Sequence, residues 1–62
     1  MNTDNRASVN INDYYDLRRK LWVETCANAI VLNNTNGYTK AQWAAKLADD
    51  AIVEFDKHFK AV

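Results

Sequence analysis

Residues 39–60, with the sequence TKAQWAAKLADDAIVEFDKHFK, decide the fold predicted for this chain. Thr39 and Gln42 stand three residues apart, which is the spacing of a capping box at the start of a helix. Apolar residues then recur at steps of three and four: Ala41, Ala44, Ala45, Ala48, Ala51, Ile52, Phe55 and Phe59. The opposite face carries Gln42, Lys46, Asp49, Asp56, Lys57 and Lys60. This period predicts an amphipathic helix over residues 39–60.

A helix is also predicted over residues 12–32, beginning near Asn12, a residue able to cap. Asp13 and Asp16 fall in its first turn, where negative charge suits the helix dipole. The first half has one apolar face, but in the second half apolar residues cover both sides: Leu21, Trp22, Val23, Cys26, Ala27, Ala29, Ile30, Val31 and Leu32. A helix that is apolar almost all round is expected to lie between two partners.

The break between the helices falls at residues 33–38, where Asn36-Gly37 contains the only glycine of the chain. Asn-Gly tolerates the positive φ of a tight reversal, and a loop of this length suits antiparallel neighbours. Residues 1–11 are polar and lack periodicity, so they are predicted to form a flexible tail. The predicted fold class is therefore all-α, with one domain over residues 12–62 that forms an antiparallel two-helix hairpin.

A chain of 62 residues needs support beyond its own core, because a domain of this size buries little surface. Cys26 is the only cysteine, so no internal disulfide exists, and no Cys/His cluster suggests a metal site. Self-association remains, and two hairpins would form a four-helix bundle dimer or a higher oligomer. The balanced charge argues against nucleic-acid binding as the main activity. Without an export signal or an apolar span, we expect a cytoplasmic location and no membrane partner.

Arg18 is the most informative candidate, because it projects from the apolar face of the first helix. If the hairpin turns around Asn36, Arg18 lies level with Glu54, and Tyr14 lies level with His58. One interpretation is an Arg18–Glu54 ion pair that fixes the helix register. The other is an anion pocket, in which arginine and aromatic side chains bind a phosphate, a nucleobase or a partner's carboxylate. Its residues would be Tyr14, Tyr15, Arg18, Arg19 and Trp22.

The remaining chemical groups are interpreted as structural. One side of the second predicted helix carries titratable residues at steps of four, and we interpret it as exposed to solvent. These residues are Asp50, Glu54 and His58. The expected ion pairs are Lys46–Asp50, Glu54–Lys57 and Asp56–Lys60. Cys26 is expected to act as a small hydrophobe. Trp43 either packs against Ile30 or a second subunit, or anchors a partner protein. No set of nucleophile and base is present, so the sequence predicts no enzyme and no cofactor.

Two segments resemble short proteins of tailed bacteriophages: Tyr-Tyr-Asp-Leu-Arg at residues 14–18, and Ala-Asp-Asp-Ala-Ile-Val-Glu-Phe-Asp-Lys at residues 48–57. Those proteins often pair an aromatic-Leu-Arg opening with a closing Ala-Asp-Ala…Glu-x-x-Lys helix, and the likeness covers most of residues 12–58. The group has no common activity, so the resemblance implies a phage accessory gene and transfers no catalytic residues. Other phage proteins of this size act by binding, as inhibitors of host defence enzymes or as oligomeric traps for nucleotide messengers.

Three functions follow as hypotheses. The first is an accessory protein of phage type that binds and occludes a host protein. The second is an oligomeric sponge for an anionic nucleotide. The third is RNA binding, because the architecture is similar to the plasmid-encoded RNA-binding hairpin dimers of the Rop type. Such recognition needs a basic, aromatic face on paired first helices, to which Tyr15, Arg18, Arg19 and Lys20 could contribute.

Overall fold

The computed structural model describes residues 4–32 and 41–62. In chain order it contains strand β1 (Ala7–Val9), helix α1 (Ile11–Leu32), helix α2 (Ala41–His58) and strand β2 (Phe59–Ala61). The two helices are antiparallel, because Arg18 contacts Asp56 whereas Trp22, further along α1, contacts Asp49, which is earlier in α2. The predicted two-helix hairpin is therefore confirmed, and its assembly into a bundle stays a prediction.

The two ends of the described chain pair as a parallel two-stranded sheet, which the sequence did not predict. Ser8 is registered with Lys60, and Val9 with Ala61. The backbone N–H of Val62 donates to the Val9 carbonyl at 2.9 Å, and that of Ile11 donates to the Val62 carbonyl at 3.1 Å. The prediction of a flexible tail over residues 1–11 is thus wrong for Ala7–Val9, which form a paired strand. These residues become ordered because a second strand satisfies their backbone.

The helix ends differ from the predicted ones for local reasons. Asn10, rather than Asn12, caps α1, since its side-chain oxygen accepts from the backbone N–H of Asn12 at 2.9 Å. The helix predicted to run to residue 60 stops at His58, because Phe59–Ala61 exchanges helical hydrogen bonds for pairing with β1. The predicted capping residue Thr39 and the predicted loop 33–38 lie outside the described residues.

Alanines form the buried core where the helices meet. Ala44 and Ala48 of α2 are 0% exposed, and Ala29 of α1 is 6% exposed. Alanine allows two helix backbones to approach closely, as expected from the alanine face of α2. Within residues 4–32 and 41–62, no large side chain is fully buried. The core of one chain is therefore small, and most large apolar side chains remain accessible at least in part.

An aromatic cluster closes the end of the hairpin that carries the strands. The ring of Tyr14 lies 5.6 Å from that of Phe55, whose centroid is 4.9 Å from that of Phe59. Tyr15 meets Tyr14 edge-on at 5.3 Å. These contacts join α1, α2 and β2, so the short sheet is packed onto the helices. In the described part of the chain, neither helix is long and apolar enough to cross a bilayer.

Candidate functional site

Asp56 is the centre of a polar network between the helices. Its carboxylate accepts from the Tyr14 hydroxyl at 2.5 Å and from Nη2 of Arg18 at 3.1 Å. The Arg18 guanidinium also lies 5.4 Å from the centroid of the Tyr14 ring, within range of a cation–π contact. The backbone carbonyl of Asp56 accepts from Arg6 at 3.4 Å. The network thus connects the N-terminal segment with both helices.

The sequence predicted that Arg18 pairs with Glu54, and this prediction is wrong, because Arg18 pairs with Asp56. Glu54 instead pairs with Lys57 on its own helix at 2.9 Å, as predicted for that pair, and both side chains are exposed. Residues 54 and 56 point about 200° apart on a helix, so only one of them faces α1. Asp56 takes that position, and the Asp56–Lys60 pair predicted from the sequence is therefore replaced by Asp56–Arg18. Lys60 lies 3.7 Å from Asp4 instead.

Asp49 makes a second polar link between the helices. Its carboxylate accepts from the indole Nε1 of Trp22 at 2.8 Å. The sequence placed Asp49 and Asp56 on the solvent face, but they stand seven residues apart, which is close to two helical turns. Both lie at the margin of the contact with α1. Their spacing of seven residues, together with hydrogen-bond donors at matching levels of α1, is the sequence signal that could have indicated that both aspartates link the helices.

Four of the six predicted site residues line one shallow groove between the helices. The groove has a volume of about 280 Å³, and its lining residues are Tyr15, Arg18, Arg19, Trp22 and Ile52. Tyr14 contacts Arg18 from the neighbouring aromatic cluster. Trp43 does not line the groove and is 42% exposed near the start of α2. Ile52 is the lining residue that sequence reasoning missed.

Both arginines of the groove have carboxylate partners. Arg18 pairs with Asp56, and Arg19 pairs with Asp16 at 2.7 Å on the exposed side of α1. Nε of Arg18 is buried and has no hydrogen-bond acceptor within the described residues. The groove therefore offers planar aromatic and guanidinium surfaces, with its positive charge largely balanced.

A cluster of charges holds the N-terminal segment. Asp4 accepts from Nη2 of Arg6 at 2.8 Å. The hydrogen bonds from Arg6 hold the pKa of the Asp4 carboxyl well below its usual range, and the same pairing raises the pKa of Arg6. Because the pKa of Asp4 is lowered in the folded chain, its contribution to stability is present at neutral pH and is lost as the pH falls.

The hydroxyl of Tyr14 has a higher pKa than that of an ordinary tyrosine. The hydrogen bond to Asp56, followed by desolvation, raises the pKa of Tyr14, because ionisation would remove the donor and place a phenolate beside a carboxylate. The stability that this bond provides is present below the ordinary tyrosine value of about 10 and is lost as the pH rises further. In a titration followed at 295 nm, Tyr14→Phe is expected to remove a component that titrates above the ordinary tyrosine value. Identical high-pH limbs in wild type and variant would contradict this.

Asp56→Asn is expected to lower the free energy of unfolding by about 1 kcal/mol, as measured by urea denaturation. The substitution removes the charged acceptor of two hydrogen bonds. The expected loss of stability is nevertheless small, because the Asp56 side chain is 36% exposed and solvent weakens both interactions. Glu54→Gln is the matched control, since it removes a carboxylate from the same part of α2 and should leave stability close to wild type. Equal losses for the two variants would mean that Asp56 does not fix the register.

Within the described residues, no three His, Cys, Asp or Glu side chains lie close enough together to hold a metal ion. Comparison with family models, with curated protein sequences and with solved structures finds no match. The functional proposal therefore depends on the surface and the groove of this chain.

Proposed function

We propose that this chain is a small, non-enzymatic binding protein that self-associates and acts by contact with another protein. The observation that carries the proposal is the mismatch between the core and the apolar surface. Three alanines are the only buried residues of the described core, whereas Val23, Val31 and Leu32 of α1 are 55%, 74% and 77% exposed. Such a surface is typical of an interface that a partner covers.

Sedimentation at micromolar concentration tests self-association directly. We expect a mass of two chains or more, with a melting temperature that rises with protein concentration because assembly stabilises the folded state. A well-folded single chain under these conditions would overturn the proposal.

The target that we propose is a protein of a bacterial host cell, encountered in the cytoplasm. This step is supported by the resemblance of residues 14–18 and 48–57 to phage accessory proteins. Retention of a host protein by the wild-type chain should be lost in Val23→Lys, which alters the exposed surface of α1 outside its buried contact with α2. It should be kept in Val53→Lys, because Val53 is exposed to the same extent, 55%, but lies on α2. If the wild-type chain retained no host protein specifically, the proposed host target would be ruled out, and the proposal of self-association would be unaffected.

A second candidate function is a sponge for an anionic nucleotide, which the groove beside Trp22 favours. Two guanidinium groups and two aromatic rings border it, and these suit phosphate and base. Its volume of about 280 Å³ is at the lower limit of small-molecule pockets, so two copies would have to contribute.

Thermal unfolding with a panel of cyclic dinucleotides distinguishes this second function. A ligand that binds the folded state should raise the melting temperature of the wild type. Arg19→Ala should abolish that rise and leave the ligand-free melting temperature nearly unchanged, since the Arg19 side chain is 76% exposed. The absence of any rise across the panel would remove this candidate. RNA binding ranks lower because it requires many phosphates to be neutralised, whereas the chain has eight basic and eight acidic residues and thus no excess of positive charge.

A further inference from the structure

The outer face of α1 carries a stripe with the spacing of a coiled coil. Its members follow one another at alternating steps of three and four residues: Leu17, Lys20, Glu24, Ala27 and Val31. These steps correspond to the a and d positions of a heptad. All five residues are exposed, and they lie on the side of the helix roughly opposite Arg18, which faces α2.

The stripe also borders a concave surface. A groove of about 680 Å³ runs along the first half of α1, and Leu17, Lys20, Val23 and Glu24 are among the residues that line it. Within residues 4–32 and 41–62, no ion pair occupies Lys20 or Glu24. Both charges are thus available to a partner that enters the groove.

We propose that this stripe binds a second copy of the chain, with the two α1 helices antiparallel and the two-fold axis at the level of residue 22. Lys20 of each copy then faces Glu24 of the other, and Leu17 faces Ala27. The pairing is isologous, so each contact occurs twice. This inference rests on the self-association proposed above and specifies its geometry.

Charge complementarity selects this arrangement over the alternatives. A parallel pair would place Lys20 against Lys20 and Glu24 against Glu24, which is repulsive. Antiparallel pairs centred on residue 20 or residue 24 would bring together two like charges at the axis. With the axis at residue 22, every charge at the centre meets its opposite, and charged residues at core positions are known to specify register and orientation.

Mixing two charge-reversal variants tests the geometry. Lys20→Glu and Glu24→Lys should each weaken association roughly tenfold or more, because each creates two like-charge contacts across the axis. An equimolar mixture should recover the wild-type mass in sedimentation, since one chain then presents two acidic side chains at the axis and the other presents two basic ones. Repulsion within one helix would give the same losses but no recovery on mixing. Lys46→Glu and Asp50→Lys provide a matched control on α2, with the same spacing and the same changes of charge.

A cross-linking experiment keeps the test valid if a charge variant fails to fold. In a Cys26→Ser background, Leu17→Cys and Ala27→Cys chains are mixed and mildly oxidised. Mixed disulfide dimers should exceed the statistical share, because residues 17 and 27 face each other, whereas two copies of residue 17 lie about 15 Å apart along the axis.

The outcomes separate the two proposals. Wild-type self-association with no recovery on mixing and a statistical distribution of disulfides would overturn the antiparallel arrangement alone. A wild type that sediments as a single chain would overturn self-association itself. Recovery on mixing together with preferential mixed disulfides supports both.

Discussion

Replacing Ala48 with leucine is expected to lower the free energy of unfolding by about 1–3 kcal/mol, the usual cost of overpacking a filled core. Ala48 is 0% exposed and lies where α2 meets α1, next to an equally buried Ala44. A leucine there must push the helices apart or adopt a strained rotamer. Urea denaturation at one fixed protein concentration measures the loss, because assembly also affects apparent stability.

Ala41→Leu provides the control for this prediction. Ala41 begins α2 and is exposed, so the added methylene groups meet solvent and the change should stay within about 0.5 kcal/mol. If Ala48→Leu were as stable as Ala41→Leu, the helices would not meet at Ala48.

A disulfide between residues 8 and 60 is expected to raise the free energy of unfolding by about 2–4 kcal/mol. The change is Ser8→Cys with Lys60→Cys in a Cys26→Ser background, and the two positions are registered across the parallel strands. Because the bond closes a loop that contains most of the chain, it removes much conformational freedom from the unfolded state. Thermal unfolding of the oxidised and reduced forms gives the difference directly.

The matched control moves one cysteine by a single residue. In Ser8→Cys with Ala61→Cys, successive strand positions point to opposite faces, so the bond should form slowly or not at all. Faster oxidation of this pair than of the registered pair would show that the strands do not pair as described.

The hairpin could be predicted because its signals are local. Steps of three and four in residues 41–58 mark one apolar face, and Asn36-Gly37 separates the two helical patterns. The groove could be predicted in part, since Tyr15, Arg18, Arg19 and Trp22 lie within two turns of one helix. Residues this close on a helix stay together whatever the partner helix does.

The partner of Arg18 could not be predicted by counting residues from the turn. Counting gives the level along the axis, but the rotation of α2 about its own axis decides whether Glu54 or Asp56 faces α1. That rotation follows from the packing of Ala44 and Ala48, which only the assembled pair of helices defines.

By itself, the sequence determined two helices, a reversal between them and more apolar surface on α1 than one chain buries, because helix periodicity is a short-range property. Only the tertiary structure decided that Ala7–Val9 and Phe59–Ala61 form parallel strands. Three-residue segments carry no reliable local signal, and each becomes a strand only when the hairpin brings the other within hydrogen-bond distance. The same closure brings Arg6, Tyr14 and Arg18 to Asp56.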